Sequence, residues 1–107
     1  MVPPIANVPS FVEYLDGLLD LTPEQSATVT QYIKDRNREL AEFRKKNGSN
    51  QLAYLKDAET VSVHLDSRMK RVLDGKQYKS YIKVMEEIRR RERERMLKLS
   101  PGTGKGK

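Results

Sequence analysis

Apolar residues recur every three or four positions along most of this chain, and interruptions in that pattern divide it into four segments. This spacing places apolar side chains on one face of a helix. The sequence therefore predicts an all-α fold, a single domain of residues 10–99 with one short and three long antiparallel amphipathic helices. The predicted helices cover about residues 11–19, 23–46, 50–73 and 75–98.

The two ends of the chain differ from the helical segments in composition. Residues 1–9 contain three of the five prolines, which restrict the backbone and lack an amide donor, so we expect an extended arm. Ser10 and Glu13 have the spacing of a capping box and predict the start of the first helix. Residues 100–107 are rich in glycine and lysine and cannot bury themselves, so we expect a disordered tail.

Two related five-residue segments precede the second and fourth helices. Residues 21–25 read Leu-Thr-Pro-Glu-Gln, and residues 73–77 read Leu-Asp-Gly-Lys-Gln. In each, a capping side chain is followed three positions later by a glutamine, which is the spacing of a capping box. We therefore predict a structural role, starting two helices alike, for Leu21, Thr22, Gln25, Leu73, Asp74 and Gln77.

The apolar stripes are narrow, and the second and third helices can pair along their whole length. If the chain turns back at Gly48, Arg36 falls opposite Ser62. Three long helices with narrow stripes predict a thin layer with one face uncovered, which favours a homodimer. The predicted register pairs Phe43 with Leu55, Leu40 with Ala58, Ile33 with Leu65, and Val29 with Met69.

Composition and charge narrow the classes of function. The chain of 107 residues is 36% apolar and 34% charged, which suits long solvated helices better than a thick core. Its net charge of +6 predicts attraction to nucleic acid, acidic lipid headgroups or an acidic protein. The absence of cysteine excludes disulfides and thiol catalysis. No apolar run reaches the roughly 18 residues of a membrane span, and the first ten residues do not have the pattern of a signal peptide.

No group of residues predicts catalysis or metal binding. The paired glutamates of the last helix lie among arginines, which would keep them ionised and unsuited to acid catalysis. His64 is the only histidine, and no carboxylate lies three or four positions from it, so we expect a surface side chain. We therefore expect a protein that is not an enzyme and uses no metal or cofactor.

A binding surface is the remaining candidate for function. Several aromatic and apolar residues lie beside the main stripes and are interleaved with arginines. Such a surface would hold unfolded, often acidic, segments weakly, by apolar contact and charge attraction. The same residues could instead complete the core or a dimer interface. The candidates for binding an unfolded client are Arg36, Arg44, Tyr54, Val61, Arg68 and Arg71.

The paired segments and the order of the helices resemble the Spy/CpxP family of small bacterial periplasmic proteins, which has a repeated Leu-Thr-x-x-Gln motif. Residues 21–25 match the motif fully, whereas residues 73–77 have Asp in place of Thr. The resemblance covers about residues 11–98. It implies a thin, cradle-shaped antiparallel dimer in the periplasm that acts as an ATP-independent chaperone or as a stress or metal sensor.

Three hypotheses of function follow. The first is an ATP-independent periplasmic chaperone that binds unfolded polypeptide on a basic, partly apolar helical surface. The second is a regulatory adaptor or metal and stress sensor that binds the sensor domain of an envelope signalling protein. The third is a helical module that binds nucleic acid without sequence preference through residues 89–95 and the lysine tail, although glutamates dilute that positive charge.

Overall fold

The structure is a computed structural model that describes residues 2–99, and it consists of four helices in the predicted order. The predicted all-α class is therefore confirmed. Residues 100–107, for which we predicted a disordered tail, lie outside the described residues. The helices are α1 (Val8–Leu19), α2 (Pro23–Asn47), α3 (Gln51–Val72) and α4 (Gly75–Leu99).

The first helix begins three residues before its predicted start. Its N-cap is Asn7, whose side-chain oxygen accepts a hydrogen bond from the Ser10 amide at 3.5 Å. Asparagine caps helices as well as serine does, and Pro9 is tolerated in the first turn, where no amide partner is required. Ser10 is therefore inside the helix, and the predicted pair of Ser10 and Glu13 does not cap it.

The residues before α1 pack on the protein instead of forming an extended arm. Val2 and Ile5 are buried members of the hydrophobic core. The Asn7 amide donates to the Pro4 carbonyl at 3.0 Å and closes a turn. The side chain of Asn37 in α2 donates to the Ile5 carbonyl at 3.1 Å. The prolines shape this segment, but its two apolar side chains determine where it lies.

One hydrophobic core forms where all four helices meet. It contains Val29 and Ile33 of α2 together with Leu65 and Met69 of α3, the four residues that were predicted to face one another at this end. Burial of each such side chain contributes roughly 1.5–3 kcal/mol. The other helices and corners contribute Phe11, Val12, Leu15, Leu19, Leu21, Leu73, Tyr81, Val84, Met85 and Ile88.

The far half of the α2–α3 hairpin lies outside this core. None of residues 37–60 is buried, and the molecule measures 50 × 27 × 22 Å. Phe43 is half-buried and Leu55 is exposed, so the predicted contact between them does not form a buried layer. The expected thin layer does not describe the proximal half of the hairpin, because α1 and α4 pack on it there.

Both predicted capping boxes are present at the starts of α2 and α4. The Gln25 amide donates to Thr22 Oγ1 at 3.0 Å, and the Thr22 amide donates to Gln25 Oε1 at 3.0 Å. The Gln77 amide donates to Asp74 Oδ1 at 2.8 Å, and the Asp74 amide donates to Gln77 Oε1 at 3.0 Å. The leucine that begins each segment is buried. Each predicted cap therefore satisfies two backbone amides.

The two glutamines also hydrogen-bond to each other across 52 positions of sequence. Gln25 Nε2 donates to Gln77 Oε1 at 2.9 Å, and Gln77 Nε2 donates to Gln25 Oε1 at 3.1 Å. Gln25 Nε2 also donates to the carbonyl of Val72, the last residue of α3, and Gln77 Nε2 to that of Leu19, the last residue of α1. We call Gln25 and Gln77 the glutamine clasp. It joins the α1–α2 corner to the α3–α4 corner.

Replacing Thr22 with Ala is expected to lower the free energy of unfolding by about 1 kcal/mol, because the Gln25 amide loses its acceptor. Chemical denaturation followed by circular dichroism measures this change. The matched control is Thr60→Ala, at an exposed position inside α3, which should alter stability by no more than about 0.5 kcal/mol. Equal stabilities of the two variants would contradict the capping role of Thr22.

Candidate functional site

The six residues predicted to bind a client do not form one accessible surface. Arg36 is 7% exposed and Val61 is 2% exposed, so a client cannot reach either side chain in this conformation. Both lie on the core face of their helices, since Arg36 follows Ile33 and Val61 precedes Leu65 at helical spacing. Their inclusion in a client surface is therefore incorrect.

Arg36 has a structural role in fixing α4 to α2. Its guanidinium donates to Asn37 Oδ1 at 2.8 Å and forms an ion pair with Glu92 of α4 at 3.6 Å. Burial lowers the pKa of Arg36, and the nearby Glu92 carboxylate partly opposes that shift. Since Asn37 also holds the Ile5 carbonyl, the N-terminal segment, α2 and α4 meet at this position.

A second polar group fixes α4 to α3. Asp66 Oδ1 accepts hydrogen bonds from the Tyr81 hydroxyl at 3.0 Å and from Arg89 at 2.9 Å. Burial, reinforced by the Asp66 carboxylate, raises the pKa of Tyr81 well above its usual range, so the hydroxyl remains a donor. We did not predict this group, although a tyrosine on an apolar stripe indicates a buried hydroxyl in need of a partner.

Arg68 and Arg71 lie near the core half of α3. Arg68 forms an ion pair with Glu39 of α2 at 3.8 Å, and Arg71 is exposed in the last turn of α3. Tyr54 is 14 residues before Arg68, a distance of about 21 Å along the helix. These two arginines therefore belong to a different part of the surface from Arg44 and Tyr54.

Arg44 and Tyr54 are brought together at the distal end of the hairpin. The Arg44 guanidinium carbon is 5.1 Å from the centre of the Tyr54 ring, and its Nη2 donates to the tyrosine hydroxyl at 3.0 Å. Lys46 lies over the Phe43 ring at 5.9 Å. This arrangement is typical of cation–π contacts, and it places aromatic and cationic groups side by side.

An apolar stripe on α3 faces away from the core. Leu52 is 77% exposed, Val63 is 57% exposed and Leu55 is 43% exposed, and Lys56 and Glu59 lie between them on the surface. We call these five residues the α3 outer stripe. A shallow, open groove follows its first part, and it is lined by Asn50, Leu52, Ala53, Leu55, Lys56 and Glu59.

The predicted pairing of Leu55 with Phe43 puts Leu55 on the core face of the third helix, but Leu52 and Leu55 are both exposed. At about 100° per residue, Leu52 lies about 140° around the helix from the buried Leu65, whereas Val61 lies only about 40° away. The buried face instead follows Tyr54, Ala58, Val61, Leu65, Met69 and Val72, of which Val61, Leu65 and Met69 are buried and the other three half-buried. The sequence of α3 contains both apolar patterns, one on the buried face and one on the exposed face, and the two overlap.

The charge of the chain is strongly segregated. All 21 lysines and arginines follow residue 33, whereas residues 1–33 carry four acidic residues and no basic one. At the distal hairpin, Arg44, Lys45, Lys46 and Lys56 are exposed. Residues 42–57 contain these four cations and two acidic residues, Glu42 and Asp57, so the net charge of this end is +2 and it attracts anionic segments weakly.

Comparison with protein-family models, with curated proteins and with solved structures finds no match to this chain.

His64 is exposed, and within residues 2–99 no three His, Cys, Asp or Glu side chains cluster in a way that could hold a metal ion. In the part of the chain that the structure describes, no helix is long and apolar enough to cross a membrane. The candidate site is the surface of the distal hairpin, where exposed apolar side chains lie near the Arg44–Tyr54 contact.

Proposed function

We propose that this protein is a non-enzymatic, ATP-independent chaperone that binds unfolded polypeptide on the α3 outer stripe and the cationic hairpin end beside it. The observation that carries this proposal is the exposure of Leu52, Leu55 and Val63 on one helix. Isolated exposed apolar residues are ordinary, but an apolar stripe bordered by charge is typical of an interaction surface. The proposal keeps Arg44 and Tyr54 from the sequence prediction.

The chemistry of this surface suits weak and reversible capture. Burial of a leucine side chain is worth at most roughly 1.5–3 kcal/mol, and association itself costs several kcal/mol, so three such side chains cannot hold a client tightly. The exposed cations Arg44, Lys45, Lys46 and Lys56 would attract acidic segments and accelerate their capture. Release then needs no nucleotide, because contact with the stripe is weak.

The cellular setting and assembly are further parts of the proposal. A periplasmic location and a homodimer are supported by the resemblance to Spy/CpxP proteins, which depends on residues 21–25 and 73–77. The pairing of those two segments through the glutamine clasp gives the repeated motif a shared structural purpose. Export of the native gene product and its mass in solution are the measurements that test these two parts.

A light-scattering assay of client aggregation tests the proposed function. A chemically unfolded acidic protein is diluted into buffer without nucleotide, with this protein present at stoichiometric amounts. Suppression of aggregation is expected, and the variant Leu52→Gln with Leu55→Gln should need at least about fivefold more protein for the same effect. The matched control is Leu18→Gln, because Leu18 is 50% exposed on α1, a helix without basic residues.

All three leucines are exposed, so these variants should retain the helical signal and the stability of the natural chain. Full aggregation of the client at both low and moderate salt would overturn the proposal. Equal activity of the double variant and the Leu18 control would show that clients bind elsewhere. Capture of one defined sensor domain without general suppression of aggregation would favour the regulatory adaptor instead.

A further inference from the structure

We propose that the α3 outer stripe pairs with the same stripe of a second copy, antiparallel and across a two-fold axis, and that this pairing closes the client-binding surface in the resting protein. The closing of the surface rests on the proposed function. The pairing itself rests on the geometry and charge of α3 and is tested separately.

The spacing of the stripe is that of a helix–helix seam. Leu52, Lys56, Glu59 and Val63 follow one another at steps of four, three and four residues, as in the seam of a two-stranded coiled coil. They lie within about 30° of one line along the helix, opposite the buried Leu65. All four side chains are exposed in the single chain, so nothing must move before a second helix can contact them.

The charges in the seam identify the partner and its orientation. A two-fold axis passing beside residues 57 and 58 places Leu52 against Val63 of the second copy, and Lys56 against Glu59 of the second copy. Both contacts occur twice because the interface is symmetric. A parallel arrangement would instead place Lys56 on Lys56 and Glu59 on Glu59, which charge repulsion disfavours. The stripe is thus complementary to itself only in the antiparallel orientation.

The size of the seam predicts a weak dimer. Residues 52–63 span three helical turns, about 17 Å, which is short compared with interfaces that bury roughly 1,200 Å² or more and remain stably associated. The two lysine–glutamate pairs in the seam fix its register more than they add affinity, since their desolvation offsets their attraction. A competing client can therefore reverse this weak association.

Client binding and dimerisation are mutually exclusive in this arrangement. Leu52 and Val63 cannot contact a second helix and an unfolded segment at the same time. The two equilibria are therefore linked, so that client binding dissociates the dimer and high protein concentration reduces client binding. Storage of the protein as a dimer would also cover its exposed apolar side chains when no client is present.

Analytical ultracentrifugation of charge-reversed variants tests the pairing. Lys56→Glu or Glu59→Lys alone places like charges opposite each other, so each should weaken the dimer by at least about tenfold. The double variant Lys56→Glu with Glu59→Lys restores opposite charges and should return to within about threefold of the natural chain. The control is Lys79→Glu, an equal charge change at an exposed position of α4, on a different helix from the seam, which should change the dimer by less than about twofold.

A labelled, neutral apolar peptide tests whether the dimer closes the client surface. Its apparent affinity should fall as the concentration of the natural chain rises above the dimer dissociation constant, and the monomeric Lys56→Glu variant should not show this fall. A dimer that holds the peptide without dissociating would overturn the closure. The pairing would be overturned if the natural chain and all variants sediment as monomers, or if the double reversal does not restore the dimer.

The outcomes for pairing and for function are separable. If every variant is monomeric but the natural chain still suppresses aggregation through Leu52 and Leu55, the inference fails and the proposed function stands. If the charge reversals change the dimer as expected but the natural chain does not suppress aggregation, the proposed function fails and the pairing stands. Circular dichroism of each variant excludes unfolding as the cause of either result, because Lys56 and Glu59 are exposed.

Discussion

Replacing Gln25 or Gln77 with Ala is expected to lower the free energy of unfolding by about 2–3 kcal/mol in each case. Either change removes a capping acceptor, breaks the reciprocal amide pair and leaves a helix-terminal carbonyl without its donor. Each lost hydrogen bond is worth about 0.5–1.5 kcal/mol, and part-buried groups left without partners raise the cost. Urea denaturation of the two single variants and of the double variant measures these changes.

The double variant should cost less than the two single variants added together, because either substitution alone already breaks the bonds between the glutamines. The expected coupling is about 1 kcal/mol, within the range found for residues in direct contact. Gln31→Ala is the control. The Gln31 side-chain amide donates to Asp35, one turn further along the same helix, so its removal should change stability by no more than about 0.5 kcal/mol. Strict additivity of the two clasp variants would contradict the reciprocal pair.

Gln25→Glu separates the clasp from simple capping. Glutamate is as good as glutamine at this position of a capping box, so a purely local role predicts almost no loss of stability. A carboxylate, however, cannot donate to Gln77 Oε1 or to the Val72 carbonyl, and it would face both oxygens with a negative charge. We therefore expect Gln25→Glu to be at least as destabilising as Gln25→Ala near neutral pH.

The helix caps and the facing residues at the core end of the α2–α3 hairpin could be predicted from the sequence, whereas the contact between the two helix corners could not. Thr22 and Asp74 were identified as caps because a capping box involves residues three positions apart. The bonds between Gln25 and Gln77 depend on how two corners meet, and no local pattern encodes that. The repeated segment contains the two glutamines that bond to each other, but from the sequence the repetition indicated only that two helices start alike.

The candidate site shows the same limit. Arg36 and Val61 were assigned to the surface because they interrupt or flank an apolar pattern, yet both are buried. Leu55 was paired with Phe43 in the predicted register, yet it is exposed and lies outside the core. Burial depends on where the neighbouring helices pack, which the pattern of one helix does not contain.

Ile5→Ala is expected to lower the free energy of unfolding by about 2–4 kcal/mol, although Ile5 precedes every helix. Its side chain is 5% exposed and belongs to the core, so truncation leaves a cavity in addition to the lost apolar contact. The bond from Asn37 to the Ile5 carbonyl holds the backbone in place, which limits relaxation into that cavity. Thermal and urea unfolding of the purified variant measure the change.

Leu18→Ala is the matched control, because it removes an apolar side chain of similar size from an exposed position of α1 and should cost less than about 1 kcal/mol. A proline-rich arm detached from the domain would make Ile5→Ala as mild as this control, so the difference between the two variants distinguishes the packed segment from the extended one.

The loss of stability in the Ile5 variant should also extend to α4. Asn37, which holds the Ile5 carbonyl, is bonded to Arg36, and Arg36 is paired with Glu92 of α4. Faster hydrogen exchange in α4 of the Ile5 variant, without a matching change in the distal hairpin, is therefore the expected signature.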